Sequence, residues 1–366
     1  MGVFYFCIVR SFFLSIIVIL SGAEGYSQKL RGLADTVGFA HTQQQMDSMV
    51  QRIEKEFGKK MNAIWNDKKV SKKDSWKVCI SPHDDYTYSS YMYPLVLSNV
   101  KAKTIIFFGV AHKAKQLHLQ DKIIFDSFTH WRGCYGNIKC SPLREKIISK
   151  LPKEIYEVND SMQAVEHSVE GIIPFIQYYN RNIEIISILV PYNSFDNMNK
   201  MAKPLAEAIA SVMKENKMEW GKDFSIVIST DAVHYGDEDW GGRNFARFGA
   251  DSAGYDKAVA YEKEIISSCL DGNLSSDKIK KFTEYTVKKE DYKDYLWTWC
   301  GRYSVPMGLL TSFYLAENLK TKLTGIPLDY STSLDHKHIS VEDLKMGTTA
   351  GAKLRHWVGY ASIGFK

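Results

Sequence analysis

Apolar residues along the chain follow two spacings, one typical of helices and one typical of strands. Positions 46, 49, 50, 53, 57 and 61 are apolar at spacings of three and four, which predicts an amphipathic helix. Short β-rich apolar runs predict strands at 76–81, 104–110, 122–125, 183–190, 224–229 and 357–363. Helical patterns lie around 142–150, 165–180, 196–216, 253–270, 275–289 and 304–319. This alternation predicts an α/β fold with a mostly parallel or mixed central sheet and helices on both faces.

The N-terminal residues carry a different pattern. The apolar run Ser11–Leu20 follows Arg10 and precedes the small residues 21–23, which predicts a secretory signal peptide over residues 1–23. We therefore expect export to the periplasm or the medium, with an uncleaved N-terminal membrane anchor as the alternative. Residues 24–43 are polar and rich in small side chains, and we expect a flexible segment there. The remaining residues, 44–366, show no repeat or linker and are predicted to form one domain.

Composition and charge narrow the class of protein. The chain has 366 residues, of which 45% are hydrophobic and 13% aromatic, so it can bury a large core and is neither disordered nor fibrous. Its net charge is +5, and Lys and Arg alternate with Asp and Glu, as in residues 278–284. This alternation is typical of a solvated surface and argues against a nucleic-acid partner.

The cysteine count has a consequence for an exported protein. Loss of a signal peptide would remove Cys7 and leave five cysteines, at 79, 134, 140, 269 and 300. An odd number leaves at least one thiol unpaired. Cys134 and Cys140 are close enough in sequence to pair across a short loop in an oxidising compartment. We expect Cys300 to remain free.

Histidines follow three of the predicted strands. His83 comes after the first strand, His112 after the second and His234 after the fifth. Ligands of open α/β sheets bind at the carboxyl edge, so these histidines can converge there. One histidine alone is more often satisfied by backbone in a loop, but three at one edge favour a functional site. Four others occupy polar stretches and are predicted to be surface residues: His41, His118, His336 and His338.

Five segments carry a family resemblance. They are Ser81–Ser90, Phe108–His112, Glu166–Phe175, Ser229–Gly236 and Cys300–Arg302. In this order and spacing they resemble the successive motifs of the Memo family, also called AmmeMemoRadiSam system protein B. The resemblance runs from about residue 76 to the C-terminus. It implies the fold of the catalytic subunit of class III extradiol dioxygenases.

The resemblance also implies roles for individual residues. His83, His112 and Cys300 match the metal-binding positions. Asp231 and His234 match pocket residues, with His234 at the acid/base position of the dioxygenases and Asp231 orienting it or a bound water. The Glu166–His167 block is expected on a helix that faces the site and that Pro174 bends or interrupts. His167 is expected either to support the metal ligands or to have only a packing role. Tyr86 and Arg302 are expected to support or line the pocket.

The ligand types restrict the metal. Two imidazoles and a thiolate suit iron(II), copper or zinc better than magnesium or calcium. A carboxylate in place of Cys300 would indicate an oxygen-activating iron, whereas the thiolate makes Cu+ as well as Fe2+ an expected cofactor and ranks Zn2+ behind them. The family's Ala-Gly after the first histidine is replaced by Asp84 and Asp85, which adds negative charge near the metal.

These residues support three hypotheses about function. The first is a non-haem iron or copper redox enzyme of dioxygenase-like type, acting on an unknown small molecule or peptide. The second is a copper- or iron-binding protein without turnover, and the third is a metal-free binding module. The resemblance suggests functional association with a radical-SAM protein and an AMMECR1-like protein, although an export signal would separate this chain from cytoplasmic partners.

Overall fold

Buried apolar strands form one mixed sheet in the computed structural model, which describes residue 2 and residues 28–366. The strands are β1 (Leu30–Arg31), β2 (Val78–Ser81), β3 (Thr104–Val110), β4 (Ile123–Phe125), β5 (His130–Trp131), β6 (Ile138–Cys140), β7 (Tyr156–Val158), β8 (Glu184–Val190), β9 (Phe224–Ser229), β10 (His234–Gly236), β11 (Gly272–Asn273), β12 (Thr324–Thr332) and β13 (His356–Phe365). The neighbours β6, β8, β3, β9 and β2 are parallel, while β13 and β12 continue the sheet antiparallel. The predicted α/β class with a mixed sheet is therefore confirmed.

Helices cover both faces of this sheet. They are α1 (Gln43–Asp67), α2 (Tyr86–Ser89), α3 (Met92–Leu97), α4 (Leu143–Ile148), α5 (Asp160–Ala164), α6 (Ile173–Tyr179), α7 (Phe195–Glu215), α8 (Ser252–Cys269), α9 (Ser276–Thr286) and α10 (Ser304–Asn318). Two short 3-10 helices lie at Lys153–Ile155 and Glu342–Leu344. Within the described residues, none of these helices is both long and apolar enough to cross a membrane.

Alternation along β3 shows how the two layers form. Ile106 and Phe108 belong to the core that α7, α8, α9 and α10 cover. Ile105 and Phe107 belong to the opposite core, which α1, α3 and α6 cover. Successive strand side chains point to opposite faces, so a strand covered on both sides must be apolar throughout. All seven residues of β3 are accordingly buried.

Part of the segment predicted to be flexible, residues 28–43, packs against the domain. β1 pairs in parallel with β5, and Arg31 is only 1% exposed. Its guanidinium forms an ion pair with buried Glu170 and donates to the carbonyl oxygens of Gln163 and Glu166. The composition of the segment could not reveal partners more than 130 residues away. The predicted signal peptide, residues 1–23, lies outside the described residues except for Gly2.

The cysteines of the described residues are all unpaired. Cys79, Cys134, Cys140, Cys269 and Cys300 are buried and free. The pairing of Cys134 with Cys140 that their spacing in the sequence would allow is not formed. The Cys134 thiol instead lies 2.8 Å from the carbonyl oxygen of Ala40, in the segment that packs over the domain.

Candidate metal centre

Three neighbouring strands deliver side chains to one edge of the sheet. β3, β9 and β2 are adjacent and parallel, so their carboxyl ends meet there. His112 follows β3, Asp231 and His234 follow β9, and His83 follows β2. Cys300 arrives at the same place from the turn before α10. This is the edge at which ligands bind in open α/β sheets.

His83, His112 and Cys300 form a cluster whose geometry fits one metal ion. Their candidate ligand atoms all lie within 4.8 Å of one another. His83 Nε2 lies 3.5 Å from Cys300 Sγ, and the two imidazole rings are nearly perpendicular, at 77°. Nitrogen and sulfur ligands about 2.0–2.3 Å from one ion lie at most about 4.6 Å apart, so the donor set suits a single ion after small adjustments.

A hydrogen-bond chain fixes the tautomer of His83. The Ser229 hydroxyl donates to the Ser168 carbonyl oxygen, at 2.6 Å, and lies 2.7 Å from His83 Nδ1. Since a hydroxyl has only one proton to donate, Ser229 must accept from Nδ1–H, which leaves a lone pair on Nε2. Burial, together with the neighbouring histidines, lowers the pKa of His83 well below its ordinary value. The neutral ring thus presents Nε2 toward Cys300, as a metal ligand must.

Glu166 fixes the tautomer of His112. Its Oε1 lies 2.9 Å from His112 Nδ1, and its Oε2 accepts the His112 backbone N–H at 2.7 Å. Oε1 also accepts the N–H groups of His167 and Ser168. Burial alone would raise the pKa of Glu166, but His112 and the N–H donors outweigh it and lower the pKa to about 2. The carboxylate therefore accepts from Nδ1–H and leaves Nε2 of His112 free to bind.

The helix expected for the Glu166–His167 block is not observed. α5 ends at Ala164 and α6 begins at Ile173, with Pro174 in its first turn, so Glu166 and His167 lie in the connecting loop. The cause is local, because Glu166 satisfies the N–H groups that a helix would use, and a proline favours the first helical turn.

Cys300 is held against the end of β9. Its Sγ lies 3.1 Å from the backbone nitrogen of Asp231, which donates to it. Gly301 permits this approach, since a Cβ there would lie 2.2 Å from Thr230 Oγ1. Burial raises the pKa of the Cys300 thiol well above its ordinary value, and Asp231 raises it further. A bound cation would reverse this preference and favour the thiolate.

Asp231 contacts His83 more closely than His234. One carboxylate oxygen accepts the His83 backbone N–H at 2.9 Å, and the other lies 3.4 Å from His83 Nε2. The distance to His234 Nε2 is 3.9 Å, too long for a hydrogen bond. Within the described residues, His234 Nε2 has no partner, and burial lowers the pKa of His234 to about 3. Direct orientation of His234 by Asp231 is thus not present.

One side of the cluster is open to solvent. The side chains of His112 and His234 are each 28% exposed and that of His167 is 39% exposed, whereas His83 is 2% exposed. The His167 ring stacks on His112, with centroids 4.6 Å apart. A cavity of about 240 Å³ lies beside His234 and is lined also by Trp240, but none of His83, His112 and Cys300 lines it. Of the three residues in the cluster, His112 is therefore the one whose side chain solvent reaches.

The acidic pair Asp84–Asp85 lies in the same cavity wall. Asp84 accepts a hydrogen bond from the Tyr360 hydroxyl at 2.5 Å, and Asp85 accepts two from Thr349. Burial raises the pKa of both carboxyls, and neighbouring acids raise them further. The negative charge near the cluster is consequently smaller at neutral pH than the sequence suggests.

Tyr86 and Arg302 do not contact the cluster directly. The Tyr86 hydroxyl donates to the carbonyl oxygen of Gly171 at 2.7 Å, and its ring packs among other aromatic rings. The Arg302 guanidinium lies 3.5 Å from the ring centroid of Tyr295. Sequence reasoning missed Ser229, although it stands inside a recognised motif and immediately precedes the turn that carries Asp231.

Several known proteins are similar to this chain in sequence. The family model of the Memo-like proteins matches residues 41–347. A MEMO1 family protein of Pyrococcus abyssi is 26% identical over 194 residues, which is 52% of this chain and 61% of that protein. MEMO1 family proteins of Saccharolobus islandicus and Methanothermobacter thermautotrophicus are also 26% identical, over 43% and 44% of this chain and 52% and 56% of those proteins. The chain thus spans little more than half the length of these relatives. Since the family model matches most of the sequence, the chain belongs to the Memo-like protein family.

Proposed function

We propose that this chain is a metal-dependent redox protein in which His83, His112 and Cys300 hold Fe2+ or Cu+. The observation that carries the proposal is the cluster itself: three donors from separate elements lie within 4.8 Å of one another. Both histidines are anchored through Nδ1, so each has Nε2 free. This is the arrangement by which proteins prepare imidazoles for a metal.

The donor set supports a soft or borderline metal. Two neutral imidazoles and one thiolate favour copper(I) or iron(II) over magnesium or calcium, and zinc stands behind them as a third choice. When bound, such an ion would supply a redox-active Lewis acid with positions left for a substrate.

We further propose that the protein is an enzyme of dioxygenase-like type, with a small molecule or a peptide group as its substrate. The partial exposure of His112, His167 and His234 supports an entry route from that side. His234 is the residue that we propose moves protons there, since its Nε2 has no partner within the described residues. Asp231 holds the His83 loop through its carboxylate.

A second candidate is metal sequestration without turnover. Asp231, His234 and Cys300 also offer ligand atoms within 4.8 Å of one another. If His234 closed onto the ion as a fourth ligand, the position that a substrate needs would be lost. Closed four-ligand sites are typical of structural or storage roles.

Metal binding under anaerobic conditions tests both candidates. We expect His83→Ala and His112→Ala each to lower the affinity for Cu+ or Fe2+ by at least about tenfold, because ligands dominate metal affinity. The matched control is His118→Asn, since His118 is exposed and its φ of 55° suits asparagine. His234→Ala should retain the metal in the enzyme and lose it in the sequestration protein. Unchanged affinity in both ligand variants would refute the proposed site.

A further inference from the structure

Glu262 on α8 is a fully buried carboxylate outside the candidate metal site, with a relative exposure of 0%. One oxygen accepts the indole N–H groups of Trp297 and Trp299, at 2.5 and 2.7 Å. The other oxygen accepts the backbone N–H of Val233 at 3.1 Å. A single side chain therefore binds two separate segments of the chain.

Both segments carry residues of the candidate metal centre. Trp299 immediately precedes Cys300, and Val233 immediately precedes His234. The two segments also contact each other through a β-bridge between Val233 and Trp299. The His234 backbone N–H donates to the carbonyl oxygen of Thr298 at 3.1 Å. Glu262 thus lies at the junction that sets the separation of Cys300 from His234.

The chemistry of the junction requires a side chain with acceptors on two oxygens. An indole N–H and a backbone N–H can only donate, so all three partners need an acceptor. A carboxylate offers acceptors on both oxygens, whereas a carboxamide would direct its NH2 group at either Val233 or the indoles. Burying this side chain costs desolvation energy, but an apolar residue here would leave three buried N–H donors without an acceptor. The presence of Glu at this position therefore favours a role in holding the two segments in place.

We propose that Glu262 is a positioning residue that fixes the Cys300 thiolate relative to the segment of Asp231 and His234. The inference rests on the proposed metal site. Cys300 Sγ accepts the Asp231 N–H at 3.1 Å, a contact that requires the two segments to stay in register. Without Glu262, the unpaired N–H donors would shift toward other acceptors, and the thiolate would move with Trp299. The metal–sulfur bond should then weaken more than the bonds to His83 and His112.

Cobalt(II) binding to the full-length chain under anaerobic conditions tests this role, because the sulfur-to-cobalt charge-transfer band reports the metal–thiolate bond. We expect Glu262→Gln to remain folded, to bind cobalt at least about tenfold more weakly and to lose band intensity, as changes behind metal ligands do. Glu264→Gln is the matched control, since Glu264 is exposed on the same helix and should leave both readouts unchanged. Trp297→Phe removes one of the three donors and should give a smaller change of the same kind.

The outcomes distinguish a failure of the proposed metal site from a failure of the proposed role of Glu262. A parent protein that binds cobalt without a sulfur band refutes the proposed metal site and this inference with it. A parent with the band, and a folded Glu262→Gln variant with unchanged affinity and band, refutes the role of Glu262 alone. If Glu262→Gln does not fold, Trp297→Phe decides: an unchanged band contradicts the inference, and a weakened band in a variant of normal stability supports it.

Discussion

Replacement of Glu166 by Gln should weaken metal binding without removing any ligand. The carboxylate accepts four N–H groups, at 2.7 to 3.0 Å, two of them from His112. Gln has one acceptor oxygen. If that oxygen takes the place of Oε1, the NH2 group opposes the His112 backbone N–H; if the amide is reversed, the other three contacts are lost. In either orientation the His112 ring or its backbone loses its anchor.

The expected losses of folding stability and of metal affinity follow from these contacts. One unsatisfied buried donor costs about 1–3 kcal/mol in folding stability, and loss of the group that orients a ligand histidine lowers metal affinity by about 10–100-fold. Anaerobic competition with a chromophoric chelator measures the affinity, and urea unfolding of the metal-free protein measures stability separately. Glu154→Gln is the control, because Glu154 is exposed and does not belong to the candidate metal centre. Equal metal affinity in Glu166→Gln and the parent would show that His112 needs no orientation or is not a ligand.

Three further changes test other parts of the account. Arg31→Met should lower the free energy of unfolding in urea by about 3–5 kcal/mol, because it leaves Glu170 buried without its cation. The added change Glu170→Gln should recover part of this stability. An unchanged free energy of unfolding would mean that residues 28–43 are not anchored to the domain. Burial lowers the pKa of His336 to about 4, so the unfolded chain protonates this histidine more readily than the folded chain does. The stability that this difference contributes above pH ~6.5 should therefore fall by up to about 3 kcal/mol as the pH drops toward 4. His336→Gln should reduce the dependence of the unfolding free energy on pH in this range, and an unchanged dependence would contradict the assignment. Cys300→Glu should shift the preference from Cu+ toward Fe2+ in anaerobic competition, and the same preference in parent and variant would argue that Cys300 is not a ligand.

Much of the sheet could be predicted from local sequence. The predicted bounds of β3 and β9 agree with the structure, because strands covered on both faces are continuous apolar runs. β12 was missed, since Gly325 and Pro327 lie within it and such residues weaken a strand pattern. Its pairing with β13 shifts register between Pro327 and Asp329, which accommodates the proline. Only the partner strand, distant in sequence, makes this segment a strand.

At the candidate site, too, local sequence predicts some features, and contacts between distant residues determine the others. The placement of His83, His112 and His234 after strands is local information, and the strand order brings them together. His336 was predicted at the surface from its polar neighbours, whereas its ring lies 3.0 Å from the hydroxyls of Ser90 and Ser331. Contacts of this kind depend on residues that meet only in the folded chain, as do those of Glu166 with His112 and Glu262 with Trp299.

X-ray absorption spectroscopy of the Cu+-loaded, full-length chain tests the central claim most directly, because it identifies the atoms bound to the metal. The account predicts a sulfur scatterer together with two imidazole nitrogens in the parent protein. Cys300→Ser should remove the sulfur and keep both imidazoles, while His83→Ala and His112→Ala should each remove one imidazole. A copper environment without sulfur in the parent, or one that Cys300→Ser leaves unchanged, would contradict the assignment of His83, His112 and Cys300 as the metal site.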